Sequence, residues 1–235
     1  TFPDNFNVEK YKDKKIMVIG GGPTTNAVKW ENLDYDFIFS CNQYYLCNKM
    51  LDMNVDVITL INRFFRDDDS TEIDKELRDR LDRDNTFIGI EPYHSQEIYN
   101  TTKFQNFLEK YEDRCLFFNT TFQNKSGAAP RLAILAAVLQ PKVIYTVGID
   151  GHKGGETLHS FDKNQIGPRD GWHKVYGSNN VVNQHHIDFA EYLYELSKEL
   201  DIEIYNLGAG HEDNMASVFS EENYPLTDEI KGLLK

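Results

Sequence analysis

The chain has 235 residues, 40% hydrophobic and 13% aromatic, which supplies apolar surface for one full-sized core and argues against a disordered protein. A formal net charge of −13 argues against a general phosphate-contacting surface for nucleic acid or anionic lipid, since either needs a basic face. Cys41, Cys47 and Cys115 fit no disulfide framework and no CxxC knuckle, no apolar run approaches the roughly 20 residues of a membrane span, and no signal-like segment is read at the start; these features together predict a cytoplasmic setting.

In chain order, Lys14–Ile19 reads as a buried strand running into the glycine turn Gly20-Gly21-Gly22-Pro23-Thr24-Thr25. Asp36–Ser40 and Val55–Ile61 read as the second and third strands. Ser70-Thr71 is expected to cap a helix with Ile73, Leu77 and Leu81 on one face. Strands follow at Thr86–Ile90 and Cys115–Phe118, separated by a helix around Phe104, Phe107, Leu108 and Tyr111. Ala128–Gln140 is a nearly all-apolar helix with Pro130 in its first turn, and Lys142–Val147 a strand ending at Gly148-Ile149-Asp150. Residues 151–184 show no sustained period and include Trp172 and Tyr176; a stretch that long is expected to be a lid. Helical spacing returns at Phe189, Tyr192, Leu193 and Leu196, then comes the strand Ile202–Tyr205, and Thr227 starts a terminal helix.

Short strands alternating with helices predict an α/β fold: a single Rossmann-like domain over residues 1–235, its mostly parallel sheet covered on both faces and carrying 151–184 as a lid-like insertion. Ligands bind such sheets beyond the carboxyl ends of the strands, which selects Gly20–Thr25, Ser40–Gln43, Ile61–Arg63 and Gly148–His152. The glycine turn lacks the third glycine of a dinucleotide fingerprint, and Cys41-Asn42-Gln43 stands where an acid for a ribose would be expected, so a nucleotide or phosphate ligand is favoured over NAD. A tight turn with no ligand would also explain the glycines.

Asn42 and Asn62, just past two neighbouring strands, offer uncharged donors and acceptors suited to base, ribose or sugar; each could instead close a turn on its own backbone. Asp67-Asp68-Asp69 has the spacing of a metal-binding Asp-x-Asp, but its place before Ser70-Thr71 favours the acidic start of a helix. Six of the seven histidines fall at or after His152, where general-base or phosphate-stabilising work is easier to support than a metal site. No P-loop and no serine-hydrolase elbow is present.

The strings Val18-Ile19-Gly20-Gly21-Gly22-Pro23-Thr24, Asp36–Tyr45 with its Cys-Asn-Gln-Tyr-Tyr core, Ser126-Gly127, Ile144–Asp150 and Ile202–Tyr205 occur in order, and in them the chain resembles the bacterial sialyltransferases of glycosyltransferase family 42. The resemblance implies a CMP-sialic acid donor or a related acidic sugar, a glycan acceptor such as a lipo-oligosaccharide, and inverting displacement with no cofactor and no metal. It implies donor contacts from Gly20, Gly21, Gly22, Pro23, Thr24, Asn42, Gln43, Asn62, Ser126, Gly127, Gly148 and Asp150. His185 or His186 matches the family's base, while His152 and His159 stand where two phosphate-stabilising tyrosines are found. The family's asparagine in the glycine turn is Gly21 here, and its arginine ahead of Ser-Gly has no counterpart among Gln123, Asn124 and Lys125, with Arg131 nearby. Trp172 and Tyr176 would belong to the lid. The resemblance further implies tetramers and peripheral association with an inner-membrane surface through the acceptor. The glycine-proline turn also occurs in a pterin diphosphokinase-like family, which would need ATP and magnesium; a nucleotide-binding module without catalysis is the third reading.

Overall fold

The computed structural model describes residues 2–68, 73, 75–91, 98–120, 127–149, 179–208 and 225–235; of Arg63 and of residues 179–190 other than Asp188, only the backbone is described. The strands are β1 (Lys15–Ile19), β2 (Phe37–Cys41), β3 (Val57–Thr59), β4 (Phe87–Ile90), β5 (Cys115–Phe117), β6 (Val143–Val147) and β7 (Glu203–Asn206). The helices are α1 (Thr24–Ala27), α2 (Lys75–Asp84), α3 (Thr102–Tyr111), α4 (Ala128–Val138), α5 (Asn179–Leu200) and α6 (Asp228–Leu233).

All seven strands form one sheet in the order β5-β4-β3-β2-β1-β6-β7, and every pairing is parallel. A parallel sheet needs both faces covered, and the side-chain alternation of β1 shows how this is met. Ile16 and Val18 enter one core with α4 and Leu193 of α5, while Met17 and Ile19 enter the other with Leu77 and Leu81 of α2 and Phe104 and Phe107 of α3. The apolar sequence of α4 follows from its position: it packs on β1, β2, β3 and β6 and is itself covered by α5. Gly89 of β4 lets α4 sit close, since a Cβ there would stand 3.2 Å from Leu135 Cδ2.

From β1 the chain walks outward through β2, β3 and β4 to β5, returns through α4, and lays β6 on the opposite side of β1. The order reverses between β1 and β6, so the crevice expected to receive a ligand lies beyond their carboxyl ends.

Two expectations about helices are corrected. Helix α2 begins at Lys75, so Ile73 precedes it instead of lying on its apolar stripe; the cap expected at Ser70-Thr71 lies outside the described residues. Helix α5 begins at Asn179, so residues 179–184 are helical and not the end of the irregular stretch expected over 151–184; residues 151–178 lie outside the described set. The terminal helix starts as its sequence implies, with Thr227 Oγ1 accepting from Ile230 N at 3.2 Å.

Candidate functional site

At the switch point the glycine turn is bolted to the end of β6. Gly20 N donates to Val147 O and Gly22 N to Gly148 O, both at 2.8 Å. In return, Gly148 N donates to Thr24 Oγ1 at 2.9 Å, and Thr25 Oγ1 donates to Gly20 O at 2.8 Å. Gly148 has φ +68°, a left-handed conformation that side chains disfavour. Gly20 and Gly148 are therefore required to be glycine by contact between two backbones, and the N–H groups of Gly20 and Gly22 are directed into the protein. This corrects the expectation that the whole turn cradles a phosphate: what it presents at the surface is Gly21 and Pro23, both half-buried.

Asn42 stands past β2 with φ 52°, a left-handed turn that asparagine tolerates better than most residues. Its N–H donates to Thr59 O at 2.9 Å, and its Oδ1 accepts from Ile61 N at 2.9 Å. The side chain thus closes no turn of its own; it staples the exit of β2 to the exit of β3, one residue ahead of Asn62. With Oδ1 engaged, the Nδ2 donors are what Asn42 can offer a ligand. Asn62, half-buried, opens the 3₁₀ turn Asn62–Phe65, fixed by Phe64 and Phe65 in the core. Gln43, half-buried, precedes the turn Tyr44–Leu46. The buried rings of Tyr44 and Tyr45 lie 6.0 and 5.6 Å from the guanidinium of Arg80, which also donates to Leu51 O at 2.9 Å. Burial pushes the Tyr44 phenol up to about 12.

Gly127 caps α4 with φ +88°, and a Cβ there would meet nothing within 4 Å among the described residues. Below it lies a polar cluster that only half appeared in sequence. Arg131 of α4 is paired with Glu91, the residue after β4, and all but buried, as are Glu91 and Thr120. Thr120 N donates to Glu91 Oε1 at 2.9 Å, the Thr120 hydroxyl donates to the same oxygen, and Arg131 Nη1 also reaches Thr120 Oγ1 at 3.2 Å. Burial lowers the Arg131 pKa and the Glu91 charge opposes that shift. Arg131 thereby serves Glu91 and is not a stand-in for the cation sought near Ser126-Gly127. The sequence signal for the cluster was the lone charge within an all-apolar helix, which demands a buried partner without naming it.

Two of the three acids are assigned by their contacts, and Asp69 lies outside the described residues. Asp67 accepts from Thr102 N at 2.9 Å and Lys103 N at 3.1 Å, capping α3 and not the helix that follows it in sequence. Asp68 forms a two-point pair with Arg66 at 2.9 and 3.0 Å. Among the described residues no group of three or more His, Cys, Asp or Glu side chains converges as metal ligands.

His185 and His186 lie in the amino-terminal half of α5, which packs on α4 and β7; consecutive helical positions point about 100° apart. Ser126, Asp150, His152, His159, Trp172 and Tyr176 lie outside the described residues. The structure thus brings together Gly21, Pro23, Asn42, Gln43, Asn62, Gly127 and Gly148 at the carboxyl edge of one sheet.

No family model matches the chain, and no curated protein matches it. Among solved structures, the chain is similar to the monofunctional alpha-2,3-sialyltransferase Cst-I of Campylobacter jejuni, with a TM-score of 0.65 and 18% identity over 98% of this chain and 86% of that one. It is also similar to the sialyltransferase CstII of the same organism in complex with CMP-3FNeuAc, with a TM-score of 0.58 and 20% identity over 83% of this chain and 81% of that one. A third match is CstII with cytidine-5'-monophosphate, with a TM-score of 0.57 and 18% identity over 89% and 84% of the two chains. At these identities the likeness establishes the α/β fold.

Proposed function

We propose that the chain is a nucleotide-sugar glycosyltransferase of the sialyltransferase type, related to family 42, that takes a CMP-activated sialic acid or related acidic sugar and passes it to a glycan acceptor. The observation that carries this reading is the run of the likeness over 98% of the chain, against a protein whose name states the same activity. CstII, another match, was solved with CMP. The strand-end Asn42, Gln43 and Asn62 give the reading its local chemistry, as amides can bind a base or sugar without repelling a phosphate.

In the reaction the acceptor hydroxyl oxygen attacks the anomeric carbon from the face opposite the nucleotide. The carbon–oxygen bond to the acceptor forms as the bond to the CMP phosphate oxygen breaks, and CMP departs with that electron pair. The acceptor proton passes to His185 or His186, while His152 and His159 donate to the phosphate oxygens as their negative charge grows. No metal takes part in this scheme. Asn42 Nδ2, Gln43 and Asn62 hold the nucleotide, Ser126 and Asp150 are further donor contacts, and Trp172 and Tyr176 belong to a lid that excludes water from the activated sugar. A lipid-borne acceptor would bring the enzyme to an inner-membrane surface, and the assembly would be a tetramer; no described helix is long and apolar enough to cross a membrane.

A thermal-shift panel of CMP, CDP, UDP, GDP and ATP, each with and without magnesium, tests the reading. A CMP-selective rise without metal is expected, followed by CMP release from CMP-sialic acid when acceptor is added. A response to ATP that requires magnesium would overturn it in favour of diphosphoryl transfer.

A further inference from the structure

The Glu91–Thr120–Arg131 cluster has no role in the chemistry above, yet it is the only ion pair among the described residues with both side chains at 4% exposure. Pairs so deeply buried recover their desolvation cost poorly, and replacing both partners with neutral groups of similar size is commonly neutral or stabilising. Stability alone is therefore a weak reason for it, and its location suggests a stronger one. Glu91 follows β4 directly, Thr120 lies just past β5, and Arg131 is on the opening turns of α4, whose cap is Gly127. A third strand joins in, since Thr59 Oγ1 at the end of β3 donates to Ala128 O at 3.4 Å. The N-cap, Gly127, has no side chain to offer the start of α4; among the described residues its position is set from beneath by three strand ends.

We infer that Glu91 and Arg131 are positioning residues for the donor site, fixing the start of α4 so that its cap, Gly127, is held at the sheet edge where the nucleotide is assigned. This rests on the function proposed above. An ion pair suits the task because both partners must meet at one geometry, whereas an apolar contact would let the helix slide along the sheet.

The test separates positioning from stability. In the double variant Glu91→Gln/Arg131→Met, the amide still accepts from Thr120 and no charge is left alone. The melting temperature is expected to hold or rise, while the CMP Kd and the donor KM rise about tenfold. Acceptor KM and kcat at saturating donor should stay within about twofold, the pattern of lost ground-state binding. A double variant that binds CMP as the wild type does overturns the inference, whatever its melting temperature. Should that variant fail to fold, Thr120→Val decides: it removes the hydroxyl linking the pair but leaves both charges together. A rise in CMP Kd of about threefold or more supports positioning, and an unchanged Kd overturns it. Wild-type protein that ignores CMP would instead sink the donor assignment itself, and the inference with it.

Discussion

Gly20 and Gly148 face each other across the ends of β1 and β6 so closely that neither can carry a methyl group. A Cβ on Gly20 would stand 2.3 Å from Gly148 O, and one on Gly148 would stand 2.0 Å from Thr25 Oγ1 and 2.6 Å from Gly20 O. Both clashes include backbone that two strands and their hydrogen bonds hold in place. Gly20→Ala and Gly148→Ala should each cost on the order of 3 kcal/mol, read from the urea midpoint at unchanged m-value. Gly232 in α6 is the internal control: among the described residues nothing lies within 4 Å of its Cβ position, so Gly232→Ala should stabilise by about 0.5 kcal/mol. Equal effects at all three positions would remove the close-contact explanation.

Asn42 allows a graded series because its backbone, acceptor and donor roles can be separated. Asn42→Gly keeps the left-handed turn and loses the bond to Ile61 N; Asn42→Ala loses both and should be the less stable by roughly 1 kcal/mol. Asn42→Asp keeps the turn and the acceptor but removes the donors and adds a charge. It should fold nearly as well as the wild type yet bind CMP at least tenfold more weakly, because a carboxylate would meet an anionic nucleotide. Isothermal titration beside urea melts checks this, and tight CMP binding by Asn42→Asp would remove Asn42 from the donor site.

Much of the sheet was legible in the chain because each strand is a short apolar run between turn residues, and a parallel sheet buried on both faces leaves that pattern intact. Lys15–Ile19 and Phe37–Cys41 lie within a residue of where their sequences place them. The third strand covers Val57–Thr59, ending short of Ile61, whose N pairs with Asn42 Oδ1, a side chain, in place of a strand partner. The readings that failed were non-local. Asp67 sits beside Ser70 in sequence but caps a helix starting 35 residues later, and no local spacing announces such a contact. Likewise the residue that requires glycine at position 20 is Gly148, brought beside it only by the crossover through α4.

Asp67 gives a test at acid pH. The N–H groups of Thr102 and Lys103 hold its carboxylate below the usual range. A depressed folded-state pKa means the unfolded chain takes up the proton first. The contribution is therefore complete above the unfolded value of about 3.9 and is lost as pH falls through the lower folded value. Asp67→Ala should lower the melting temperature at pH 7 more than Asp68→Ala does, and the gap should narrow by pH 3. A metal-binding triplet would behave differently: both variants would abolish a magnesium response and neither would alter the acid limb.

The thiols provide a matching test at high pH. Burial pushes Cys41 and Cys115 up to about 12, so the folded protein keeps both protons while the unfolded chain releases them near 8.5. Here the native state binds more protons, and stability must fall as pH rises from about 8.5 toward 12, by roughly 1.4 kcal/mol per pH unit for each thiol. Urea midpoints from pH 7 to 10.5 should show that slope, and Cys115→Ala should flatten it. In native protein both thiols should resist a thiol reagent at pH 8 and react on unfolding; rapid native labelling of either would contradict their burial.

His185 and His186 are adjacent in α5, so about 100° of helical turn separates them, and a single acceptor hydroxyl can be served by only one. Single alanine substitutions should therefore give unequal results: one variant loses on the order of 100-fold or more in turnover, while the other stays near wild type. CMP affinity should hold within about twofold in both, because the base acts on the acceptor and not on the nucleotide. The base must be neutral to take the proton, so wild-type turnover should fall as pH drops through the imidazole range near 6.5. The variant lacking the base should lose that limb, which a merely structural histidine would leave in place. Wild-type turnover and an intact acid limb in both variants would move the general base elsewhere in the chain, with the fold and the nucleotide site left as they stand.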